Sequence, residues 1–532
     1  MKPLAKHSAP AYYFAVLLLA QVPQPQPQLS RIRADLDFLT SEVLAGRASL
    51  TPQADMAARY IAAEFQKAGL QPANSDSYLQ SFPLVAYRSD LASRRLQLTR
   101  KGKVKAFQPG TDFLGSFYQD MDVTGPVVFA GYGITAPEYS YDDYASIDVR
   151  GKVVLLFDHE PQEDNPRSVF QGTGNTLHAG RWMKVENARK HGAVAVLVGN
   201  DPLHHPSSIF GSVSSPGKQP SLRASAPPQS LDDPGQIPVF QISESAFVEL
   251  TKAEGRTPAE MQREIDASLQ PHSKAFADTT VELSTSNAEQ HRASSLNVVG
   301  LLEGSDPRLK GETVLLTAHY DHLGIQHGHL YPGANDNASG TAAVMELARL
   351  FTRQQVRPKR SLLFVVFGSE EQLMLGSFFY TAHPLRPLET TRAVINLDMI
   401  GRDEAHIAQE EGRLAILADT KNELNLVGSF YSPDLRAVVQ QENQRVGLSL
   451  DTKYDSNAVL NALFRCDHLP FLIAHVPAVW FFAGFHPGYH EPSDTVDQLN
   501  FPKMEKVINL AYRTAAAVAN ASMTPRFSAQ GS

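Results

Sequence analysis

Short apolar runs separated by polar turns dominate the C-terminal half of the chain. LNVVGLL (296–302), TVLLTA (313–318), SLLFVVF (361–367), AVINLDM (393–399), LAILA (414–418) and AVWFFAG (478–484) are too short for core helices and rich in Val, Ile and Phe, so they read as buried strands. Between and after them, SGTAAVMELARLFTRQ (339–354) and KMEKVINLAYRTAAAVANAS (503–522) repeat their apolar residues with helical spacing. Strands alternating with helices predict an α/β domain with a mostly parallel mixed sheet flanked by helices.

Two other patterns precede it. From about 32 to 70 the apolar spacing fits two amphipathic helices, with Gly69 as the stop. From 118 to 285 the runs GPVVFAGYGI, GKVVLLFD, GAVAVLVGN and IPVFQIS read as short strands, and GRWMKVENARKHG as one helix among them. The Pro- and Ser-rich stretch 204–230 reads as an exposed, mobile loop. The expected division is a signal peptide over 1–20, an N-terminal part of the catalytic domain over 30–117, a β-rich accessory domain over 118–285 and the rest of the catalytic domain over 286–525.

Length and composition agree with several domains. The chain has 532 residues, 42% hydrophobic and 20% charged, ample for two or three cores. A net charge of −8 without any Lys/Arg run argues against nucleic acid or an anionic membrane as partner. Cys466 is the single cysteine, which excludes an internal disulfide and a four-cysteine zinc site. Lys2 and Lys6 precede the apolar run 11–20, and a Gln/Pro-rich stretch follows. The run is too short for a stable membrane anchor, so export to the periplasm or the extracellular space is expected. Leu18 stands where a small residue would suit cleavage, which leaves a retained short anchor as the alternative.

The candidate chemistry lies just past the apolar runs, where ligands bind in open α/β sheets. His319, Asp321 and His322 follow the second run in AHYDHLG; Asp336 precedes a helix in GANDNASG. Glu370 and Glu371 follow the third run in GSEEQLMLGS, Asp398 the fourth in NLDMIGR, and Tyr489 and His490 the last in GYHEPSDT. Each has a plain structural alternative. Asp336 could cap the helix after it, Glu370 and Glu371 could sit in a solvated turn, and His327 and His329 read as ordinary loop residues. Recurrence at one end of successive strands is what points to a site. Imidazole with carboxylate is a zinc ligand set, and a water-activating centre adds an unbound carboxylate as base.

Those five motifs in that order resemble the co-catalytic zinc aminopeptidases of metallopeptidase clan MH, secreted bacterial aminopeptidases and glutamate carboxypeptidases among them, over about 294–522. FAGYGITAPEYSYDDYASIDVRGKVVLL resembles a protease-associated (PA) domain inserted in the peptidase. The resemblance implies the zinc-dependent exopeptidase, phosphorylase/hydrolase-like fold and two Zn²⁺ per chain. His319 and Asp398 would hold one zinc, Glu371 and His490 the other, and Asp336 would bridge them. Glu370 would be the general base acting through a metal-bound hydroxide, Asp321 would orient His319, and Tyr489 would donate to the oxyanion. The implied activity is removal of N-terminal residues from peptide substrates. A glutamate carboxypeptidase-like enzyme, a glutaminyl cyclase and a non-catalytic receptor-like protein are the alternatives. Relatives commonly carry Ser-Asp-His where this chain has Cys466, Asp467 and His468. Cys466 is expected as a small semi-buried residue near the site, with its two neighbours in the site wall or on the substrate. Arg402 is expected among the specificity residues. Nothing in the pattern sets an oligomeric state.

Overall fold

Apolar runs without alternation require cover on both faces of a strand, and Thr313–His319 and Ser361–Phe367 are buried at all seven positions each. In the computed structural model, which describes residues 26–531 apart from 116, 118, 205–222, 225–235, 411 and 413, these two strands pair in parallel inside a 10-stranded mixed sheet. Thr391–Leu397 and then Ala478–Phe482 extend it in parallel on one side. Asn287–Leu302 and Leu79–Ser89 continue it antiparallel on the other. Glu423–Val427 runs antiparallel to Ala478–Phe482 and carries Ser449–Asp451 at the edge.

Helices Leu29–Leu39, Pro52–Ala68, Gly340–Thr352 and Phe501–Asn520 cover one face, burying Leu36, Phe65, Leu347 and Ile508 against the sheet. Pro52–Ala68 shows why it starts and stops where it does. Thr51 accepts the Ala54 N–H at 3.2 Å, Pro52 opens the first turn, and Gly69 takes φ +87°, a conformation that strains any residue with a Cβ. Leu375–Ala382 and Leu469–Ile473 cover the opposite face through Phe378, Phe471 and Leu472. This is the expected mostly parallel α/β architecture.

A second, 8-stranded sheet forms the inserted β-rich domain. Met121–Phe129, Val153–Phe157, Ala195–Gly199 and Val239–Ile242 run parallel at its centre. Arg95–Arg100, Lys103–Ala106 and Phe113–Gly115 also pair into it, so the second sheet begins upstream of the boundary expected at 118. These are edge or next-to-edge strands; Lys103–Ala106 is exposed throughout, and such strands carry little apolar pattern to read. The 414–418 run is also not a strand. Leu414 is buried but Leu417 is 54% exposed, and the place beside Ala478–Phe482 is taken by Glu423–Val427, whose five residues are all buried. His327 and His329 lie exposed at the turn of a small hairpin formed by Gly324–Gln326 and His329–Tyr331. The expected signal peptide, and nearly all of the 204–230 stretch, fall outside the described residues. Among the described residues no helix is long and apolar enough to cross a membrane.

Candidate active site

The strand ends converge. His319 is the last residue of its strand, Asp398 follows Thr391–Leu397 directly, Glu370 and Glu371 stand just past Ser361–Phe367, and Tyr489 and His490 lie on the loop after Ala478–Phe482. Asp336 sits between two imidazoles. Its Oδ1 is 3.4 Å from His319 Nε2 and its Oδ2 is 3.1 Å from His490 Nε2. Asp398 Oδ2 lies 3.5 Å from the same His319 nitrogen, and Glu371 Oε2 lies 3.3 Å from the same His490 nitrogen. One carboxylate therefore faces two separate imidazole–carboxylate pairs.

Asp336 is free to do this because its neighbours carry the local hydrogen bonding. Asn337, not Asp336, caps the following helix, its Oδ1 accepting the Gly340 N–H at 2.8 Å. The Asp494 carboxylate accepts the backbone N–H groups of Asn335 and Asp336 at 2.9 and 3.1 Å. The capping alternative thus falls one residue further on.

Asp321 lies against His319 and also reaches the glutamate turn. His319 Nδ1 is hydrogen-bonded to the Asp321 backbone carbonyl at 3.2 Å, while the Asp321 carboxylate stands 3.7 Å away. That carboxylate accepts the N–H of Glu370 at 3.0 Å, the N–H of Glu371 at 3.3 Å and the Ser49 hydroxyl at 2.7 Å. Two successive N–H groups at the turn point at one buried anion, and this locks the glutamate pair in place.

The two glutamates are driven apart electrostatically. Burial, opposed by His319, together with Asp467, Glu371 and Asp398, pushes Glu370 well above the usual carboxylate range. Burial also acts on Glu371, but His490 and the hydrogen bond from His322 overcome it and hold this carboxyl down to about 2. Neighbouring carboxyls with opposite shifts suit different tasks, one carrying a proton and one staying an anionic ligand. Tyr489 is partly buried; desolvation and the nearby Asp336 carboxylate push its pKa up, which keeps the phenol neutral and able to donate, and its ring stacks on His490 at 3.9 Å.

The donor set fits zinc. His319 Nε2 is buried without a hydrogen-bond partner although three carboxylates stand within 3.7 Å of it, as a nitrogen aimed at a cation would be. His319, Asp336 and Asp398 form one compact ligand group, and His322, Asp336 and Glu371 another. His322, given no role from its motif, is thus part of the centre. Its Nδ1 is 2.7 Å from Glu371 Oε1, while His490 faces the same carboxylates from the more open side. The signal was its position three residues after His319, but a loop histidine looks the same in one dimension.

Cys466 is fully buried rather than semi-buried. Its thiol donates to Asp398 Oδ2 at 2.8 Å and accepts from Asn396 Nδ2 at 2.9 Å; burial and Asp398 push its pKa up, away from thiolate chemistry. Asp467 accepts the Ser377 hydroxyl at 2.5 Å and His468 is buried against Trp480, so both belong to the wall. Arg402 is not in the cleft; it stands 3.9 Å from Asp494 behind the loop that carries His490. Arg465 is the arginine that lines the cleft at the centre. Arg47, which no motif marks, is buried beneath it and donates to the carbonyls of Leu39, Tyr320, Pro332 and Gly333.

Residues 297–515 match the sequence profile of peptidase family M28, and 123–250 match the PA domain. Aminopeptidase YwaD of Bacillus subtilis is 24% identical over 389 residues, covering 71% of this chain and 66% of its own length. The protein YfbL of Escherichia coli is 32% identical over 216 residues, covering 37% and 65%. The chain thus spans just under two thirds of the length of each of these relatives. Among solved structures, an aminopeptidase from Aneurinibacillus sp. strain AM-1 aligns over 94% of this chain and 95% of its own at 20% identity, with a TM-score of 0.49. The paired imidazole–carboxylate centre at the strand ends and the two matched profiles lead to one conclusion: residues 297–515 form a peptidase family M28 domain, and a PA domain is inserted ahead of it.

Proposed function

We propose that the chain is a two-zinc aminopeptidase that removes N-terminal residues from peptides. The observation that carries this reading is the two-sided placement of Asp336, with one oxygen toward His319 and the other toward His490. His319 and Asp398 would hold one zinc, Glu371 with His490 the other, and Asp336 both. The ions supply Lewis-acid polarisation of the scissile carbonyl and lower the pKa of water to ~7.

The protein's own residues do the rest. Glu370, held by the Asp321 contact to its N–H, takes the proton from the attacking water and passes it to the leaving amine. Its raised proton affinity suits a group that must hold a proton between two steps. Tyr489 donates to the developing oxyanion. Asp321 and Ser49 fix the turn that carries both glutamates, and His322 positions Glu371. The mixed His/carboxylate set favours zinc over magnesium or calcium.

The test is a panel of peptides with free and acetylated N-termini, assayed on metal-loaded protein with and without chelator. Release of the first residue from free-N-terminus peptides, abolished by chelator and by acetylation, is expected. Cleavage confined to acetylated peptides, or cyclisation of N-terminal glutamine without hydrolysis, overturns the reading.

A further inference from the structure

Among the residues lining the cleft, Arg465 alone carries a permanent positive charge. It is exposed, its guanidinium carbon lies 5.7 Å from the centroid of the Phe485 ring, and Phe485 in turn packs edge-on against Tyr489 at 5.0 Å. The next residue, Cys466, is tied to Asp398 at 2.8 Å, so the backbone that bears Arg465 is fixed to the centre itself. Among the described residues no carboxylate lies within salt-bridge distance of this guanidinium. A cation placed beside acidic groups yet left without a partner has been kept for something that arrives.

The charge balance says what that is. The three carboxylates that would hold metal, Asp336, Glu371 and Asp398, line the same cleft, and two divalent zinc ions would offset all of their negative charge. With the centre neutralised, Arg465 leaves the mouth of the cleft positive. Low-dielectric aromatic walls (Trp480, Phe485 and Tyr489) sharpen that field toward an incoming anion. A guanidinium offers paired donors to a carboxylate, and peptides carry carboxylates in two places.

We propose that Arg465 is a specificity residue that receives a carboxylate of the substrate, either an acidic side chain next to the scissile bond or the free C-terminus of a short peptide. This rests on the peptidase reading above, and it selects acidic or very short peptides as the substrate class. An exposed ion pair of this kind is weak, so the preference is up to about fivefold and shrinks with added salt.

The experiment compares metal-loaded wild type, Arg465→Gln and Arg465→Lys, with zinc content measured in each. One arm takes the kcat/KM ratio for Glu-Ala-amide over Gln-Ala-amide, the other for Leu-Ala over Leu-Ala-amide. Calorimetric Kd ratios for glutamate over glutamine and leucine over leucinamide give a readout that needs no turnover. A preference in at least one arm, collapsing to about one in Arg465→Gln and partly kept in Arg465→Lys, supports the proposal and names the source of the carboxylate. No preference in either arm, or one that survives in Arg465→Gln, overturns it. Cleavage of the neutral amides without preference leaves the peptidase reading standing and sinks this one. Arg465-dependent carboxylate binding without any hydrolysis does the reverse.

Discussion

Asp321→Asn isolates the support of the glutamate pair from its chemistry. The carboxylate is 1% exposed and accepts three hydrogen bonds, from the N–H of Glu370 and of Glu371 and from the Ser49 hydroxyl. An amide of the same shape keeps one acceptor and replaces the other with NH₂. With the oxygen toward Glu370, Ser49 can turn to accept from the new NH₂, but the Glu371 N–H loses its partner and faces a donor. One charge-assisted hydrogen bond to a buried anion contributes about 1.5–3 kcal/mol, so global stability should fall by about 2 kcal/mol. The freed turn lets Glu371 drift, and loss of such outer support typically weakens a metal site by about 10–100-fold. Urea unfolding gives the first number, and zinc titration against a competing chelator gives the second. Weakening should fall on the Glu371 side, leaving the zinc held by His319 and Asp398 the tighter of the two. If stability changed by less than ~0.5 kcal/mol and both zinc affinities stayed within about twofold, Asp321 would not be holding the pair. Weakening confined to the His319 side would point to the role of orienting that imidazole.

Three further outcomes follow from the geometry. Glu370→Gln should keep both zinc ions and lose about 10²–10⁴ in kcat, because the base is removed and no ligand is; normal turnover by the purified variant would assign the proton transfer elsewhere. His490→Ala should lose zinc from the Glu371 side outright, while His322→Ala, which removes the 2.7 Å contact to Glu371, should weaken that zinc by about 10–100-fold; equal and complete loss in both variants, measured by metal analysis after dialysis, would make His322 a ligand in its own right. In the PA domain, burial opposes the charge on His159, but the hydrogen bond to Asp201 at 2.9 Å raises its pKa to about 9, above the ~6.5 of a free imidazole. The folded state binds that proton more tightly, so the stabilisation is complete below ~6.5 and is lost as pH rises through 9, about 3 kcal/mol at ~1.4 kcal/mol per unit. Wild-type stability to urea should therefore fall between those limits and His159→Gln should fall less; parallel pH profiles would show that the ion pair contributes nothing.

The fold was legible where burial is two-sided. Thr313–His319 and Ser361–Phe367 are written as unbroken apolar runs because both faces of each strand are covered. Glu423–Val427 is just as buried, yet Glu423 and Asn425 break the run. Glu423 is accommodated by the Lys453 ammonium at 2.6 Å, a contact with no counterpart in the local pattern. The more apolar 414–418 run, lacking a partner strand, was the better-looking candidate and the wrong one. The three strands between 95 and 115 are hard to read for the opposite reason: Lys103–Ala106 is exposed at every position, Phe113–Gly115 is three residues long, and Arg95–Arg100 alternates through only two apolar residues, Leu96 and Leu98.

The site divides along the same line. Ligand residues are readable because each must stand within a few positions of a strand end, so their chemistry and their place in the pattern coincide. Their supports obey no such rule. Ser49 and Arg47 belong to the segment between the first two helices, more than 270 residues from the atoms they hold. The turn that delivers them is set by Gly46 at φ +71°, where an added Cβ would stand 2.5 Å from the Tyr331 carbonyl oxygen. Arg47 then ties the loop after His319 to the loop before Asp336, through Tyr320 on one side and Pro332 and Gly333 on the other. Those two loops carry the imidazole of one metal group and the carboxylate shared by both. The segment between the N-terminal helices therefore supports the centre: through Arg47 it joins the loops of His319 and Asp336, and through Ser49 and Asp321 it reaches the glutamate turn as well. A change there should appear in metal affinity although no ligand is touched.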